Sequence, residues 1–287
     1  MTFVVLPVSR PRVAAWGWLP WLWLLPFAAM QAVAYTPDTD ALLVGRVLAG
    51  RQVRQQHLGV DAGLSHALVH SVVQDRRGFV WIGTEEGLNR YDGHEVRVFG
   101  RSLNPAAGLR GGRVAGLLAD PDGPLWVMMG EGTLSRFDPA TETFRHFHAT
   151  DAGGRDAPRF YPNALARGAD GMLWLGSDAG LWRFDPRRES FQVFRQDPHD
   201  SHQGPADDRV AALLPDGARG LWVGSRAGLD RRNVGGRFRT VLDGHEILSL
   251  APAPGGLWVG TEAGLLRLDG ERVVGHASVG QTVGAGA

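Results

Sequence analysis

The 287-residue sequence contains no cysteine and no lysine, and all 30 of its basic residues are arginine. Without cysteine the chain has no disulfide, no thiolate nucleophile and no cysteine-ligated metal. Without lysine it performs neither Schiff-base nor lysine general-base chemistry. The formal net charge is zero. No excess of one sign therefore favours nucleic acid or an anionic membrane surface as a partner.

A long apolar run lies near the N-terminus. Arginines at positions 10 and 12 precede the run Val13–Ala29, and an Ala-Val-Ala site ends at Ala34. This order predicts a signal peptide over 1–34, cleaved after Ala34, and a linker over 35–50. The run also approaches membrane-spanning length, so an uncleaved anchor is the alternative. Export of a cysteine-free chain predicts a periplasmic location.

Much of the remaining sequence repeats one pattern. The stretch DRRGFVWIGTEEGLNRYDG, residues 75–93, recurs four more times with the order Trp, an aliphatic residue, Gly, Thr or Ser, then Gly-Leu and an Arg. The second copy has one inserted residue and Met128-Met129 in place of Gly-Thr. The repeated tryptophans are Trp81, Trp126, Trp174, Trp222 and Trp258. A unit of this length and content predicts a supersecondary module used five times.

Each repeat reads as four short strands separated by turns. The predicted four-stranded blades cover 66–99, 113–148, 160–194, 209–241 and 246–276. Such units are typical of an all-β fold, the β-propeller. The tryptophans are expected to lie between neighbouring sheets. The glycines expected to allow close sheet approach or a bulge are Gly83, Gly176, Gly224 and Gly260. The repeated arginines are expected to contact the next blade or the rim.

The first repeat, Gly63–Phe99, resembles the two-component regulator propeller family, and Arg195–Val210 resembles that family's linker between blades. The resemblance implies the periplasmic sensor region of a hybrid two-component histidine kinase or a diguanylate cyclase. It also implies seven blades, of which five are complete here. Residues 51–58 are expected to be the strand that closes the last blade, and 280–287 the start of a sixth. The chain is therefore expected to be a fragment without its output domain.

The candidate ligand-binding residues lie in the turns between the second and third strands. Because strands alternate in direction, these turns share a face with the connections from the fourth strand to the next blade. Residues there differ from blade to blade, as site residues do on a repeated scaffold. The candidates are Glu85, Glu86, Glu131, Asp178, Arg226 and Glu262. Acids with one arginine suit a polar small molecule rich in hydroxyl groups, such as an oligosaccharide. A ligand there would change the packing of the propeller or its homodimerisation.

The histidines do not predict a metal site or a cofactor. The His-Glu pairs at 94–95 and 245–246 lack the second histidine, four residues after the first, that a zinc-protease motif requires. His146 and His148 alternate onto one strand face, but they need a third ligand, and an exposed outer strand explains them better. No catalytic site is predicted in this chain.

Two other functions stay open. Propeller lyases of the streptogramin type have similar Trp-Gly repeats and use histidine and acidic residues at the central channel. Only His66 and His70 fall on an inner strand here, and the set of blades is incomplete. The third hypothesis is a protein-binding propeller that uses the face on which these turns lie. In the sensor reading, contact with a membrane comes only from the downstream region or from an uncleaved signal segment.

Overall fold

The computed structural model describes residues 2–5, 54–121, 123–130, 132–149 and 161–278. Twenty strands form five antiparallel sheets, each built from four strands that follow one another in sequence and in space. The predicted all-β fold of four-stranded blades is therefore confirmed. The seven-bladed ring stays a prediction, and the predicted start of a sixth blade, 280–287, lies outside the described residues.

The sheets begin and end close to the predicted blade limits. The first sheet contains β3 (Val69–Gln74), β4 (Val80–Thr84), β5 (Gly87–Tyr91) and β6 (Val96–Phe99). The second contains β7 (Val114–Ala119), β8 (Leu125–Met129), β9 (Thr133–Asp138) and β10 (Thr143–His148). The third contains β11 (Pro162–Arg167), β12 (Leu173–Ser177), β13 (Gly180–Asp185) and β14 (Ser190–Phe194).

The last two sheets extend two residues beyond the predicted ends at 241 and 276. The fourth contains β15 (Val210–Pro215), β16 (Gly220–Ser225), β17 (Gly228–Asn233) and β18 (Phe238–Asp243). The fifth contains β19 (Ile247–Ala253), β20 (Gly256–Thr261), β21 (Gly264–Asp269) and β22 (Arg272–Ser278). Two short 3-10 helices also occur in the described residues, Val60–Ala62 and Gly217–Arg219.

A separate antiparallel pair joins β1 (Thr2–Val5) to β2 (Arg54–His57), with Thr2 opposite His57 and Val5 opposite Arg54. The predicted closing strand, 51–58, contains β2. Its pairing with a last blade stays a prediction. The rest of the predicted signal peptide and the predicted linker over 35–50 lie outside the described residues.

The first strand of every sheet contains a bulge near its start. In the first sheet the register shifts between Val69 and Ser71, and Ser71 then pairs with Gly83. A Cβ atom on Gly83 would lie 2.6 Å from Val114 Cγ1 in the next sheet. Glycine is required here because the neighbouring sheet comes too close for any side chain. Gly176 and Gly224 face Val210 and Ile247 of their next sheets in the same way.

In the second sheet the glycine and its larger strand partner have exchanged places. Met128 stands where the other repeats have glycine, and its strand partner across the sheet is Gly116. A Cβ atom on Gly116 would lie 2.7 Å from Met128 Cε. In this sheet the glycine therefore lies on the first strand and the large side chain on the second. This exchange explains why the second repeat tolerates its departure from the pattern.

Successive sheets pack through their first strands and through the repeated tryptophans. β3, β7, β11, β15 and β19 contact one another in that order. Trp81 lies against Phe137 of the second sheet, with ring centroids 5.2 Å apart, and its Nε1 donates to Asp75. Trp126 contacts Phe184 of the third sheet in the same manner. Four of the five tryptophans are at most 5% exposed, whereas Trp258 is 39% exposed.

The segments that lead into two of the sheets are fixed by a side chain of the third strand. Asn89 Oδ1 accepts from Ser65 N at 2.9 Å. Asp230 Oδ2 accepts from Ala206 N at 2.7 Å, across the same separation of 24 residues. Asn89 and Asp230 are both buried. The connection into the blade is therefore bonded to the blade that follows it.

Candidate ligand-binding site

The candidate residues lie on the face predicted from the repeat, beside the entry to each first strand. The residue four positions after each tryptophan donates its main-chain N–H to a carbonyl just before the first strand of its own sheet. Glu85 donates to Leu68 at 3.1 Å, and Asp178 to Tyr161 at 3.2 Å. The same bond joins Gly130 to Arg113, Arg226 to Arg209 and Glu262 to Glu246. We call the surface formed by these paired positions the loop face.

Glu85 has the most defined surroundings of the candidates. His70 Nε2 donates to Glu85 Oε2 at 2.8 Å, and Arg113 Nε of the second sheet lies 3.8 Å from the same oxygen. The hydrogen bond from His70, aided by the charge of Arg113, holds the pKa of Glu85 below its ordinary value. Glu85 is thus ionised at neutral pH and in contact with both the first and the second sheet.

The other candidates are more open. Glu86, Asp178, Arg226 and Glu262 are exposed, and Asp178 Oδ1 accepts from Tyr161 N at 2.7 Å. Glu262 Oε1 lies 4.0 Å from His245 Nδ1. Glu131 lies outside the described residues. Among the described candidates, no hydrogen bond or ion pair joins one to another, so the structure places them on one face without bringing them into a single cluster.

Sequence reasoning missed the partners of these residues. Arg113, Tyr161, Arg209 and Glu246 precede the first strands and lie beside the turns that carry the candidates. Tyr161 is 59% exposed. Arg209 Nη1 of the fourth sheet lies 3.9 Å from Glu246 Oε1 of the fifth, a second pair between sheets on this face. Their fixed position, 12 or 13 residues before each tryptophan, is the signal that would have found them.

The histidines considered from the sequence have other partners. His146 Nδ1 lies 2.8 Å from Ser135 Oγ, and its Nε2 donates to the carbonyl of Pro105 at 2.8 Å. Burial lowers the pKa of His146. His148 Nδ1 lies 3.2 Å from Thr133 Oγ1. In the described residues no group of three or more His, Cys, Asp or Glu side chains is arranged to hold a metal ion.

The repeated four-stranded sheets and their tryptophan contacts define a β-propeller. Residues 63–86 match the model of the family described as two component regulator propeller. The chain therefore carries a repeat of that family, and the resemblance predicted from the sequence is confirmed. A stretch of 37 residues, 13% of this chain, is 43% identical to Histidine kinase P4 of Formosa agariphila and covers 3% of that protein.

Solved structures share the fold. The extracellular domain of the one component system BT4673 from B. thetaiotaomicron aligns over 82% of this chain and 32% of its own, with a TM-score of 0.52 and 19% identity. PorZ, a surface component of the type-IX secretion system of Porphyromonas gingivalis, aligns over 74% of this chain and 34% of its own, with a TM-score of 0.56 and 17% identity. The chain thus spans about a third of the length of these proteins.

The aligned structure from B. thetaiotaomicron is itself an extracellular domain. A long apolar helix of the kind that crosses a bilayer does not occur in the described part of the chain. The chain is thus a β-propeller that carries a two-component regulator propeller repeat.

Proposed function

We propose that this propeller is the ligand-sensing module of a two-component or cyclic-di-GMP signalling receptor and that it acts in the periplasm. The observation that carries the proposal is the match of residues 63–86 to the regulator propeller model, together with the 37-residue match to a histidine kinase. In this proposal the chain itself is not catalytic. The kinase or cyclase domain belongs to a part of the receptor outside this chain, and so does the membrane anchor unless the signal segment stays uncleaved.

The proposed ligand is a polar small molecule or an oligosaccharide bound at the loop face. Two ion pairs on this face join different sheets: Arg113 with Glu85 at 3.8 Å, and Arg209 with Glu246 at 3.9 Å. Pairs this long and this exposed contribute little stability, so hydroxyl groups of a ligand can replace them at low energetic cost. Tyr161 adds an exposed aromatic ring that a sugar can cover.

Replacement of these pairs gives the proposed signal. A ligand that prefers one arrangement of neighbouring sheets increases its population in proportion to the difference in affinity. The change would be transmitted through the packing of the propeller or through a homodimer to the output domain. Glu85 is the central residue of this proposal because it touches both the first and the second sheet.

A screen of neutral and acidic oligosaccharides against the complete chain tests the proposal. Thermal shift would find ligands and calorimetry would measure their Kd. Glu85→Gln is expected to weaken binding about tenfold, which corresponds to the loss of one charged hydrogen bond. Glu95→Gln is the matched control, since Glu95 is an exposed acid in the opposite turn of the same blade. A ligand bound equally by both variants would refute the loop-face site.

A second candidate function is a lyase, and the hydrogen-bonded pair of His70 and Glu85 favours it. Such a pair is suited to proton transfer when a substrate reaches it. The same samples distinguish the two functions, since a lyase would convert the bound ligand over hours. Recovery of unchanged ligand by mass spectrometry is expected for a sensor.

A further inference from the structure

The repeated arginine of the third strand binds acids in two characteristic positions. One acceptor is the glutamate directly before the fourth strand of the next sheet. Arg90 Nη1 lies 3.4 Å from Glu142, and Arg231 Nη1 lies 2.8 Å from Glu271. The other acceptor is an aspartate in the first turn of the arginine's own sheet, as in the 2.8 Å contact of Arg231 with Asp216.

Arg136 occupies the same position in the second sheet but has lost both acceptors. The glutamate of the next sheet, Glu189, binds Arg145 at 2.6 Å. The aspartate of its own sheet, Asp120, pairs with Arg167 and accepts from Trp126 Nε1 at 3.0 Å. In the described part of the chain, the exposed Arg136 guanidinium makes neither a hydrogen bond nor an ion pair. The hydrogen bond from Ala140 N lowers the pKa of Asp138, with a smaller contribution from the nearby charge of Arg136.

A second arginine nearby also has no ion-pair partner among the described residues. Arg187, in the turn before β14, is exposed. Its main-chain N–H donates to Asp185 at 2.8 Å, and its guanidinium has no acceptor among the described residues. The neighbouring acid Asp170 has its own cation, with Arg183 Nη2 at 3.8 Å. The acids around this position, Asp120, Asp170 and Glu189, are therefore each already paired with another arginine.

Arg136 and Arg187 line one cavity of about 310 Å³ between the second and third sheets. Trp126, Phe147 and Met172 contribute to the same wall. Arg167 and the three paired acids, Asp120, Asp170 and Glu189, also line it, so the cavity has as many acids as arginines. The volume is at the lower end of the range for small-molecule sites. The cavity lies on the side of the sheets that carries the turns between first and second strands and between third and fourth strands, opposite to the loop face.

We propose that this cavity binds an oxyanion, a carboxylate, sulfate or phosphate group carried by a small polar molecule, through Arg136 and Arg187. A guanidinium offers planar, paired donors that match such a group, and charge-assisted bonds of this kind are stronger than neutral ones. Partial enclosure between two sheets reduces the screening that weakens fully exposed pairs. The site does not depend on the loop face or on a sensory role.

The test measures anion binding by calorimetry on the complete chain at constant ionic strength. The probes are sodium sulfate and sodium glucuronate, with glucose as the neutral comparison. Both anions are expected to bind saturably and glucose is not. Arg136→Gln and Arg187→Gln are each expected to raise the Kd about tenfold, as the loss of a charged hydrogen bond predicts. Arg188→Gln is the matched control, because Arg188 neighbours Arg187 and pairs instead with Asp185.

One more variant removes the arginine that neutralises an acid of the cavity. Arg145→Gln leaves Glu189, which lines the cavity, without its arginine partner, so the anion affinity is expected to fall although Arg145 does not line the cavity. Unchanged affinity in this variant, equal affinities of the wild type and both cavity variants, or no saturable anion binding by the wild type would each overturn the proposal. Far-UV circular dichroism of each variant verifies that the sheets are intact.

Discussion

Trp81 of the first sheet and Trp258 of the fifth occupy the same position of the repeat, yet their environments differ. Trp81 is fully buried, in contact with Phe99 of its own sheet and Phe137 of the next. Trp258 is 39% exposed, and Leu265, Val273 and Val274 of the same sheet are exposed as well. The repeated tryptophan does not bury itself within its own blade. Its burial is completed by the following blade.

The strongest test of this comparison is a pair of alanine substitutions. Trp81→Ala is expected to lower the free energy of unfolding by about 3–5 kcal/mol, the usual effect of removing a large buried ring. Trp258→Ala is expected to lower it by about 1 kcal/mol, because much of that ring already contacts water. Urea unfolding followed by circular dichroism measures both. Equal losses would show that the two rings contribute alike and would break the comparison.

A smaller effect is expected from the charged contacts that accompany the tryptophan. Glu142 accepts from Arg90 and Arg97 of the preceding sheet, while Arg267 of the fifth sheet donates to the main-chain carbonyls of Leu268 and Pro254. Glu142→Ala is expected to lower the free energy of unfolding by about 1 kcal/mol at low salt. The loss should shrink in about 1 M salt, where charges are screened within about 3 Å.

The backbone conformation of Glu142 provides a control for the Glu142→Ala variant. Glu142 has a φ of 54°, a conformation that glycine adopts without strain and that costs other residues about 1 kcal/mol or more. Glu142→Gly loses the same ion pairs but relieves this strain, so it is expected to be less destabilising than Glu142→Ala. Arg267→Gln, by contrast, should show no salt dependence, and a salt-dependent loss there would contradict the distinction between the two sheets.

The smallest effect concerns the buried residues that fix the entry segments, Asn89 in the first sheet and Asp230 in the fourth. Burial raises the pKa of Asp230 above its value in the unfolded chain. The folded state therefore holds its proton more tightly, and stability decreases as pH rises through the interval from the unfolded pKa to the folded pKa. Asp230→Asn removes this penalty and keeps an oxygen for the N–H of Ala206.

The expected result for Asp230→Asn is a small gain in the free energy of unfolding at pH 7 that vanishes in acid, below the pKa of an unfolded aspartate. Unfolding midpoints of both proteins across the acid range measure the difference. A gain that stayed constant with pH would trace the effect to packing instead of charge. Asn89→Ala, which deletes the corresponding bonds in the first sheet, is the comparison for the loss of the fixed segment.

The repeat made the sheets and the tryptophan contacts predictable, because each depends on residue types at fixed spacing. The pairing of side chains was harder to predict from the sequence. An aromatic or aliphatic residue follows the repeated arginine in the other four copies, but the fourth copy has Arg232. Its guanidinium lies 4.7 Å from the ring centre of Trp174 and 5.2 Å from that of Phe194. Arg232 stands at the position that Phe137 has in the second sheet, and the two rings interact with its positive charge.

The candidate site was predictable only in its location. The turns that carry Glu85 and Arg226 follow from strand order, whereas the contacts of Glu85 with His70 and Arg113 depend on distances between sheets that the pattern does not contain. The same holds for Arg136, since the pattern does not show that Glu189 pairs with Arg145 and not with Arg136, whereas Glu142 pairs with both Arg90 and Arg97.

The bonds from Ser65 N to Asn89 and from Ala206 N to Asp230 also define where one copy of the repeat can be cut from the chain. A graft or deletion that starts at the first residue of a strand would discard the donor and leave a buried amide or carboxylate without its bond, at a loss of about 1–3 kcal/mol. The transferable unit of this propeller therefore starts ahead of Ser65 or Ala206, inside what looks like a linker.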